Sequence, residues 1–207
     1  IKLIILDFDG TLADSKKVIY NAIKNEVYKK GYSLNKSYKK TMGDWPMKIE
    51  LAKEGIKKGR KALIRKINYD LLKEVKKIKP AKNIDSLAKI RHKKIVLSNN
   101  SQNVIKATLK NLKINFISEI HSPKEFHNKI EGIRKVIKKK KIKPVEIVYV
   151  GDRDRDILAA KKVGCISIAI HNKISWNSLE EILRTKPDFI INDLKDLKKI
   201  VDKLNSS

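Results

Sequence analysis

The chain has 207 residues and a hydrophobic content of 41%, which is enough to form a folded core and excludes a generally disordered protein. It carries a formal net charge of +26, and its single cysteine, Cys165, excludes an internal disulfide framework. No apolar run approaches the length of a membrane span, and the N-terminal run is interrupted too early for a signal peptide. We therefore expect a soluble cytoplasmic protein with one domain and a modest insertion.

The first predicted element is a buried strand that ends in two carboxylates. Ile1 to Leu6 is a nearly all-apolar run, which is typical of a parallel strand buried on both faces. Asp7 and Asp9 follow it, and they point the same way because side chains alternate along an extended chain. Gly10 then allows a tight turn and a close approach of the backbone to a ligand. Such a pair can hold a hard cation while one carboxylate attacks an electrophile and the other moves a proton.

The segment 14–79 contains helical patterns and no convincing strand. Asp14 or Ser15 offers an N-cap for the first helix, and Pro46 offers a start for the second. A third helical pattern ends near Pro80. This predicts an all-helical insertion between the first strand and the rest of the sheet.

From Ala81 onward, short apolar strands alternate with helical patterns. The first helical pattern of this part spans Ile84 to Ala88. Repeated alternation of this kind predicts an α/β fold with a three-layer, Rossmann-like parallel sheet. The predicted domains are a core of residues 1–13 and 80–207 and an inserted helical cap of residues 14–79. The predicted strands are Lys94 to Leu97, Phe116 to Ile120, Ile147 to Val150, Cys165 to Ile170 and Phe189 to Ile191.

Polar groups also follow two later strands, at the edge of the sheet where Asp7 is expected. Ser98 follows the first of these strands, and a hydroxyl donor together with loop amides suits phosphoryl binding. Ser98 also precedes a helix, so it is equally a candidate for a helix cap. Asp152 follows the second strand, and Asp154 and Asp156 come after it, where a helix dipole favours acids. For Asp154 we favour this interpretation as a first-turn acid of a helix, and for Asp152 we do not.

These residues together resemble the motifs of the haloacid dehalogenase-like hydrolase superfamily. The stretch DFDGT, residues 7–11, is similar to its first motif, and Ser98 is similar to its Ser or Thr after an apolar strand. The stretch GDRDRD, residues 151–156, is similar to its GDxxxD motif. The final stretch KPDFIINDLKDL resembles phosphoglycolate phosphatase-like members, in which a helical cap follows the first motif. The resemblance covers nearly the whole chain.

The resemblance implies a Mg²⁺-dependent phosphatase that hydrolyses a small phosphate monoester through an aspartyl-phosphate. Asp7 is then the nucleophile, and Asp9 is the general acid and base, held in place by Thr11. Mg²⁺ binds Asp7, a backbone carbonyl of Asp9 and Asp152, which suits its preference for oxygen ligands and retained waters. Asp156 either completes this metal site through water or orients a neighbour.

The family also uses a cation, usually lysine, to hold the phosphate and the nucleophile together. Lys129 opens the helix before the GDxxxD strand at a spacing similar to that of many relatives, and Lys124 is the alternative. The further phosphate contacts that the resemblance implies are Ser98, Gly10, Thr11 and Asn99. Substrate specificity is expected from the cap, where the candidates are Trp45, Met47, Lys48, Arg60 and Arg65.

The resemblance leaves other reactions of the superfamily to be weighed. Asp9 argues against a dehalogenase, which generally lacks this second carboxylate. A sugar phosphomutase keeps Asp9 and differs only in whether a hydroxyl or water accepts the phosphoryl group. Phosphonate hydrolysis needs a cap lysine that forms a Schiff base, and the cap contains many lysines. A phosphatase is the favoured reading.

The positive charge suggests a different class of function, that of a nucleic-acid-associated protein or a polynucleotide phosphatase. Arginine suits bidentate phosphate and base recognition, yet it is scarce here, and the lysines are spread along most predicted helices. Aromatic residues make up only 6% of the chain, and no nucleic-acid-binding motif is visible. We therefore favour lysines on solvated helix faces. A positive surface would still attract a small phosphorylated substrate.

Overall fold

The computed structural model describes residues 1–206, so Ser207, the last residue of the predicted core, lies outside the described residues. The strands are β1 (Leu3–Leu6), β2 (Ala13–Asp14), β3 (Lys79–Pro80), β4 (Lys93–Leu97), β5 (Glu119–His121), β6 (Ile147–Gly151), β7 (Ile166–Ile170) and β8 (Phe189–Ile191). Six of them form a parallel sheet in the order β5-β4-β1-β6-β7-β8, with helices on both faces. This confirms the predicted α/β fold class.

The α-helices divide between the inserted segment and the two faces of the sheet. The helices of the insertion are α1 (Lys16–Lys29), α2 (Tyr38–Thr41), α3 (Met47–Lys53) and α4 (Arg60–Glu74). The helices of the core are α5 (Gln102–Asn111), α6 (Lys129–Lys140), α7 (Asp154–Val163), α8 (Leu179–Leu183) and α9 (Leu197–Asn205). No helix within residues 1–206 has both the length and the apolar character that a membrane crossing requires.

Strand β1 lies in the middle of the sheet, between β4 and β6. All four of its residues are fully buried, because both faces of the sheet are covered. Ile4 and Leu6 join the apolar cluster that includes α5 and α9, whereas Leu3 and Ile5 join the cluster that includes α6 and α7. Adjacent side chains of a strand point to opposite faces, which explains why every position of this strand is apolar.

The parallel strands bring their C-terminal ends to one edge of the sheet. Asp7, Ser98 and Asp152 follow β1, β4 and β6, which are neighbours in the sheet. The pairing of β1 with β6 continues to the first carboxylate, since the backbone N–H of Asp7 donates to the carbonyl of Val150 at 2.8 Å. The central position of β1 therefore sets where the polar edge forms.

Helices α1 to α4 pack around an apolar cluster of their own. Val104 of α5 and Trp176 of the loop after β7 also belong to this cluster, so the inserted segment rests on the core. The buried members from the insertion are Ile19, Ala22, Ile23, Val27, Tyr38, Met42, Leu51, Ile56, Leu63, Ile67 and Leu71.

Three local predictions were wrong. Strands β2 and β3 form an antiparallel ribbon at the two ends of the segment that was predicted to lack strands, because two-residue strands carry no periodicity. The predicted helix at Ile84 to Ala88 is a 3-10 helix, Ile84–Lys89. The strand predicted at Phe116 begins only at Glu119, because Phe116 and Ile117 pack against the core outside the ladder.

One buried carboxylate holds the loop between α2 and α3. Glu50 of α3 accepts hydrogen bonds from the backbone N–H groups of Gly43 and Trp45, the latter at 3.3 Å, and from the Tyr38 hydroxyl at 3.2 Å. The residue is only 6% exposed. Burial raises the pKa of Glu50 to about 7, although these donors act in the opposite direction.

Glu50 should make the stability of the fold depend on pH. Its pKa of about 7 lies above the ordinary 4.5, so the folded state binds this proton more tightly than the unfolded chain does. The contribution of Glu50 to the free energy of unfolding is therefore fully present below pH 4.5. It falls by up to about 3 kcal/mol as the pH rises through 7. Urea unfolding at pH 5 and pH 8 should show that the free energy of unfolding falls less for Glu50→Gln than for the wild type. Equal losses would contradict the assignment.

Candidate active site

Asp7 lies at the centre of the polar edge and is 4% exposed. Its Oδ2 is 2.9 Å from the Nζ of Lys129, and its Oδ1 is buried without a hydrogen-bond partner among the described residues. Burial raises the pKa of Asp7 well above its usual range, Lys129 opposes this rise, and Asp156 and Asp152 add to it. A buried carboxylate with one unpartnered oxygen is suited to a bound cation or an electrophile.

Lys129, the first residue of α6, bridges Asp7 and Asp156. Its side chain is only 10% exposed. Burial alone would lower the pKa of Lys129, but Asp156 and Asp7 outweigh burial and raise it, so the ammonium group stays charged. Lys124, the alternative from the sequence, is exposed on the surface. The geometry therefore favours Lys129 as the lysine of this site.

Asp152 and Asp156 belong to the turn between β6 and α7, and both are fully buried. Asp152 accepts hydrogen bonds from the Thr11 hydroxyl at 3.1 Å and from the backbone N–H of Trp176 at 2.6 Å. Burial raises the pKa of Asp152 to about 7, and Asp156 adds to this rise. The expectation that Thr11 holds Asp9 is wrong, because the turn around Gly10 directs the Thr11 hydroxyl towards Asp152 instead.

Asp156 acts on the lysine rather than on the cavity. Besides the Lys129 ammonium group, it accepts a hydrogen bond from the Tyr149 hydroxyl at 3.2 Å and one from the backbone N–H of Arg153 at 3.1 Å. Of the two roles that the sequence leaves open for Asp156, these contacts favour the orientation of a neighbour.

The Asp9 carboxylate has its own partners. The Ser15 hydroxyl donates to it at 2.5 Å, and the Asn100 side-chain amide lies 3.1 and 3.2 Å from its two oxygens. Burial raises the pKa of Asp9, and these donors moderate the rise. Sequence reasoning assigned Ser15 to a helix cap, but its side chain makes no capping bond. It gave Asn100 no role, and the only available signal was its position just after a strand end.

The predicted phosphate-binding residues lie near these carboxylates. Ser98 is 1% exposed, and its hydroxyl accepts a hydrogen bond from the backbone N–H of Asn100 at 3.2 Å. The cap of α5 is Ser101 rather than Ser98. Asn99 donates from Nδ2 to the Gly43 carbonyl at 3.1 Å, while its Oδ1 is buried without a partner among the described residues.

Gly10 allows the first motif to approach the GDxxxD turn. Its φ is +81°, a conformation that strains any other residue. A Cβ at this position would also collide with the Asp152 carboxylate and with the Trp176 ring. The close packing of the two motifs therefore requires glycine here.

One cavity of about 480 Å³, open mouth included, lies between the sheet edge and the inserted helices. Part of the predicted site lines it, whereas Gly10, Thr11, Asp152 and Asp156 do not. Two of the specificity candidates, Trp45 and Met47, line it, whereas Lys48, Arg60 and Arg65 do not. The lining residues from the core are Asp7, Asp9, Ser98, Asn99, Asn100, Lys129, Arg153 and Trp176, and those from the insertion are Ile19, Ile23, Met42, Gly43, Trp45, Met47 and Glu50.

Arg153 ties the GDxxxD turn to the inserted segment. Its guanidinium donates to the backbone carbonyls of Lys40, at 3.3 Å, and of Met42, and it pairs with Asp44. Its Nε donates to the Asn177 side chain at 3.0 Å. The side chain is 5% exposed, so these bonds are shielded from water. Sequence reasoning gave Arg153 no role, because its partners lie far away along the chain.

Asp7 and Asp152 can offer carboxylate oxygens to a divalent cation, and Asp156 lies beside them. A carboxylate oxygen from each of the three lies within 4.8 Å of the others. A bound cation would compensate for both the unpartnered Asp7 Oδ1 and the mutual repulsion of the buried carboxylates. Oxygen donors of this kind suit Mg²⁺. The Asp9 carboxylate is engaged elsewhere, which leaves only its backbone carbonyl for the expected metal contact.

Comparisons with known proteins agree with this arrangement. A profile of the haloacid dehalogenase-like hydrolase family matches residues 4–170. A phosphoglycolate phosphatase of Synechococcus elongatus is 24% identical over 210 residues, which cover 97% of both chains. A solved haloacid dehalogenase-like hydrolase from Streptococcus pneumoniae has a TM-score of 0.80 at 22% identity and covers 98% of both chains. A predicted phosphoglycolate phosphatase from Haemophilus somnus has a TM-score of 0.81 at 19% identity, covering 97% of this chain and 98% of its own.

Replacing Lys129 by methionine should destabilise the metal-free protein by about 3–5 kcal/mol, because Asp7 and Asp156 would remain buried without their counter-charge. Urea unfolding in the presence of a chelator measures this change. The matched control is Lys124→Met at an exposed position, which should change the free energy of unfolding by less than about 0.5 kcal/mol. Similar small effects for both variants would contradict the buried ion pairs.

Mg²⁺ should raise the melting temperature of the wild type. At a concentration about a hundred times its Kd, a ligand that binds only the folded state contributes about 2.7 kcal/mol. For a domain of this size, that corresponds to roughly 5–10 °C. Asp152→Asn should abolish this shift of the melting temperature in differential scanning calorimetry. Asp14→Asn, at an exposed position, should retain it. Retention of the full shift by Asp152→Asn would argue against this metal site.

Proposed function

The chain belongs to the haloacid dehalogenase-like hydrolase family and is an enzyme of its phosphatase type, and we propose that it hydrolyses a small phosphate monoester through an aspartyl-phosphate on Asp7, with Mg²⁺ as its cofactor. One observation carries the proposal. Asp7 lies buried against Lys129 and within shared coordinating distance of Asp152, while Asp9 is held separately by hydrogen bonds.

The proposed site binds the phosphoryl group through groups that already surround Asp7. The Lys129 ammonium neutralises phosphoryl oxygens and opposes the rise that burial causes in the pKa of Asp7. The Ser98 hydroxyl, Asn99 and the backbone of Gly10 and Thr11 supply hydrogen bonds. Mg²⁺, when held by Asp7, Asp152 and the Asp9 carbonyl, supplies further positive charge against the phosphoryl oxygens.

The proposed reaction has two steps. In the first, a carboxylate oxygen of Asp7 forms a bond to phosphorus while the bond from phosphorus to the leaving oxygen breaks, and Asp9 gives that oxygen its proton. In the second, Asp9 takes a proton from a water molecule that attacks the phosphorus, which releases inorganic phosphate and restores the Asp7 carboxylate. Ser15 and Asn100 keep Asp9 oriented for both transfers.

We propose that residues 14–79 act as a cap domain over a core of residues 1–13 and 80–207. Their separate apolar cluster and their contribution to the cavity wall support this role. Closure of such a cap excludes bulk water from the reacting groups and brings specificity residues to the substrate.

The cavity helps to separate this reaction from its rivals. No lysine among the described residues of the cap lines it, so the structure offers no candidate for Schiff-base chemistry on a phosphonate. A buried nucleophile in a cavity between the sheet edge and the inserted helices favours a small ester over a polynucleotide. A mutase would use the same groups with a sugar hydroxyl as acceptor, so release of free phosphate is the distinguishing measurement.

Asp7→Asn should lower phosphate release by roughly 10³-fold or more, because the amide is a far weaker nucleophile than the carboxylate. The assay is Mg²⁺-dependent release of inorganic phosphate from phosphoglycolate, sugar phosphates, nucleotides and pyrophosphate. Asp14→Asn is the control at an exposed position and should keep wild-type turnover. Circular dichroism shows whether the fold is intact, and full activity in a folded Asp7→Asn variant would remove Asp7 as the nucleophile.

A further inference from the structure

Two residues that line the cavity beside Asp7 each carry a buried polar atom that no described residue satisfies. Trp176, in the loop between β7 and α8, lines the cavity and is 7% exposed, and its indole Nε1 has no hydrogen-bond partner. Asn99 lines the same cavity, and its Oδ1 is likewise buried and unpartnered. Unpaired buried groups are costly, so a ligand that satisfies them gains affinity. A hydroxyl is the small group that both accepts and donates a hydrogen bond.

The Trp176 ring is fixed in place by the active-site turns. Its backbone N–H donates to Asp152 at 2.6 Å, and the Arg153 guanidinium lies 5.3 Å from the ring centre. The Lys16 ammonium lies 5.6 Å from the same centre. Gly43 has a φ of +89° and presses so closely on the ring that a Cβ there would lie 2.6 Å from it. The indole N–H is therefore held in one orientation before any ligand binds.

The cations that line the cavity are already engaged. Lys129 pairs with Asp7 and Asp156, and the proposed reaction uses it for the phosphoryl group. Arg153 is taken up by Asp44 and by carbonyl oxygens of the cap loop and of Asn177. Among residues 1–206, no other lysine or arginine lines this cavity. A carboxylate on the leaving group would therefore find no free cation.

The rest of the cavity wall also disfavours a negative leaving group. Glu50 contributes a carboxylate, and the hydrogen bonds from Gly43, Trp45 and Tyr38 keep that carboxylate in place. A second carboxylate buried beside it would be strongly unfavourable. The remaining side chains that the cap contributes to the wall are the apolar groups of Ile19, Ile23, Met42, Trp45 and Met47.

We propose that this site prefers phosphate monoesters whose leaving group is uncharged and bears a hydroxyl, that Trp176 donates a hydrogen bond to that hydroxyl, and that leaving groups bearing a carboxylate, such as glycolate, are disfavoured. The inference rests on the proposed function, since it concerns the leaving group of the same reaction. It is a statement about specificity, because the groups that bind phosphate are the same for every ester.

Two-carbon esters of matched size test the preference. With 2-hydroxyethyl phosphate, the wild type should show a kcat/KM at least about tenfold higher than with phosphoglycolate, because one satisfied polar contact in a closed pocket supports discrimination of this order. Phosphoethanolamine should also be poorer than 2-hydroxyethyl phosphate, because an ammonium group cannot accept a hydrogen bond from the indole N–H and Glu50 already accepts three hydrogen bonds. A higher kcat/KM for phosphoglycolate or for phosphoethanolamine would overturn the inference.

The role of Trp176 is separated from a merely structural role by comparing two substrates. Trp176→Phe removes the indole N–H and should lower kcat/KM for 2-hydroxyethyl phosphate by roughly fivefold to tenfold, the value of one hydrogen bond. The loss for ethyl phosphate, which lacks the hydroxyl, should be smaller by that same factor. Trp45→Phe, in the same wall, is the matched control and should affect both esters equally. Equal losses for both esters in Trp176→Phe would overturn the assignment.

p-Nitrophenyl phosphate separates a failure of the leaving-group preference from a failure of the phosphatase activity itself. Hydrolysis of this ester without hydrolysis of 2-hydroxyethyl phosphate would leave the phosphatase intact and overturn the preference inferred here. No Mg²⁺-dependent hydrolysis of any of the esters would overturn the proposed function, and this inference with it.

Discussion

The concentration of buried carboxylates around one lysine is the constraint on which the site depends. One carboxylate oxygen from each of Asp7, Asp152 and Asp156 lies within 4.8 Å of the others. The Lys129 ammonium contacts the carboxylates of Asp7 and Asp156. Burial of like charges is tolerated only where paired groups and hydrogen bonds compensate for it. Thr11, Tyr149 and backbone N–H groups supply part of that compensation. The part of the electrostatic cost that these groups do not compensate favours a bound cation.

The same turn that carries Asp152 and Asp156 also anchors the inserted helices. Arg153 follows Asp152 directly, and it binds two carbonyls and the Asp44 carboxylate of the loop that covers the cavity. Trp176 contacts both the turn and the inserted segment. Its backbone N–H bonds to Asp152, and its ring packs against Gly43. The position of this loop and the geometry of the carboxylates are therefore linked through Arg153 and Trp176.

The sequence predicted those features that depend on neighbouring residues. The apolar run before Asp7 and the strand ends before Ser98 and Asp152 are local patterns, so the parallel sheet and its polar edge could be read from them. Lys129 could be identified only by its spacing, in a chain rich in lysine.

The contacts that the sequence did not predict depend on how distant segments fold against each other. The Thr11 hydroxyl bonds Asp152 instead of Asp9, since the path of the turn decides which carboxylate it reaches. Asn100 and Arg153 act on partners 91 and 111 residues away, and no pattern in their own neighbourhood signals this. Ribbons of two residues, such as β2 and β3, are too short for any periodicity.

The order of the strands has a cost during synthesis. Strand β1 precedes both of its neighbours in the sheet, because β4 begins only at Lys93 and β6 at Ile147. A growing polypeptide therefore carries an unpaired, fully apolar strand until β4 has been made, and the second partner follows only with β6. Such unpaired segments are prone to aggregate. The helices that follow β1 in the sequence are rich in lysine, and a high net charge opposes association of chains during this interval.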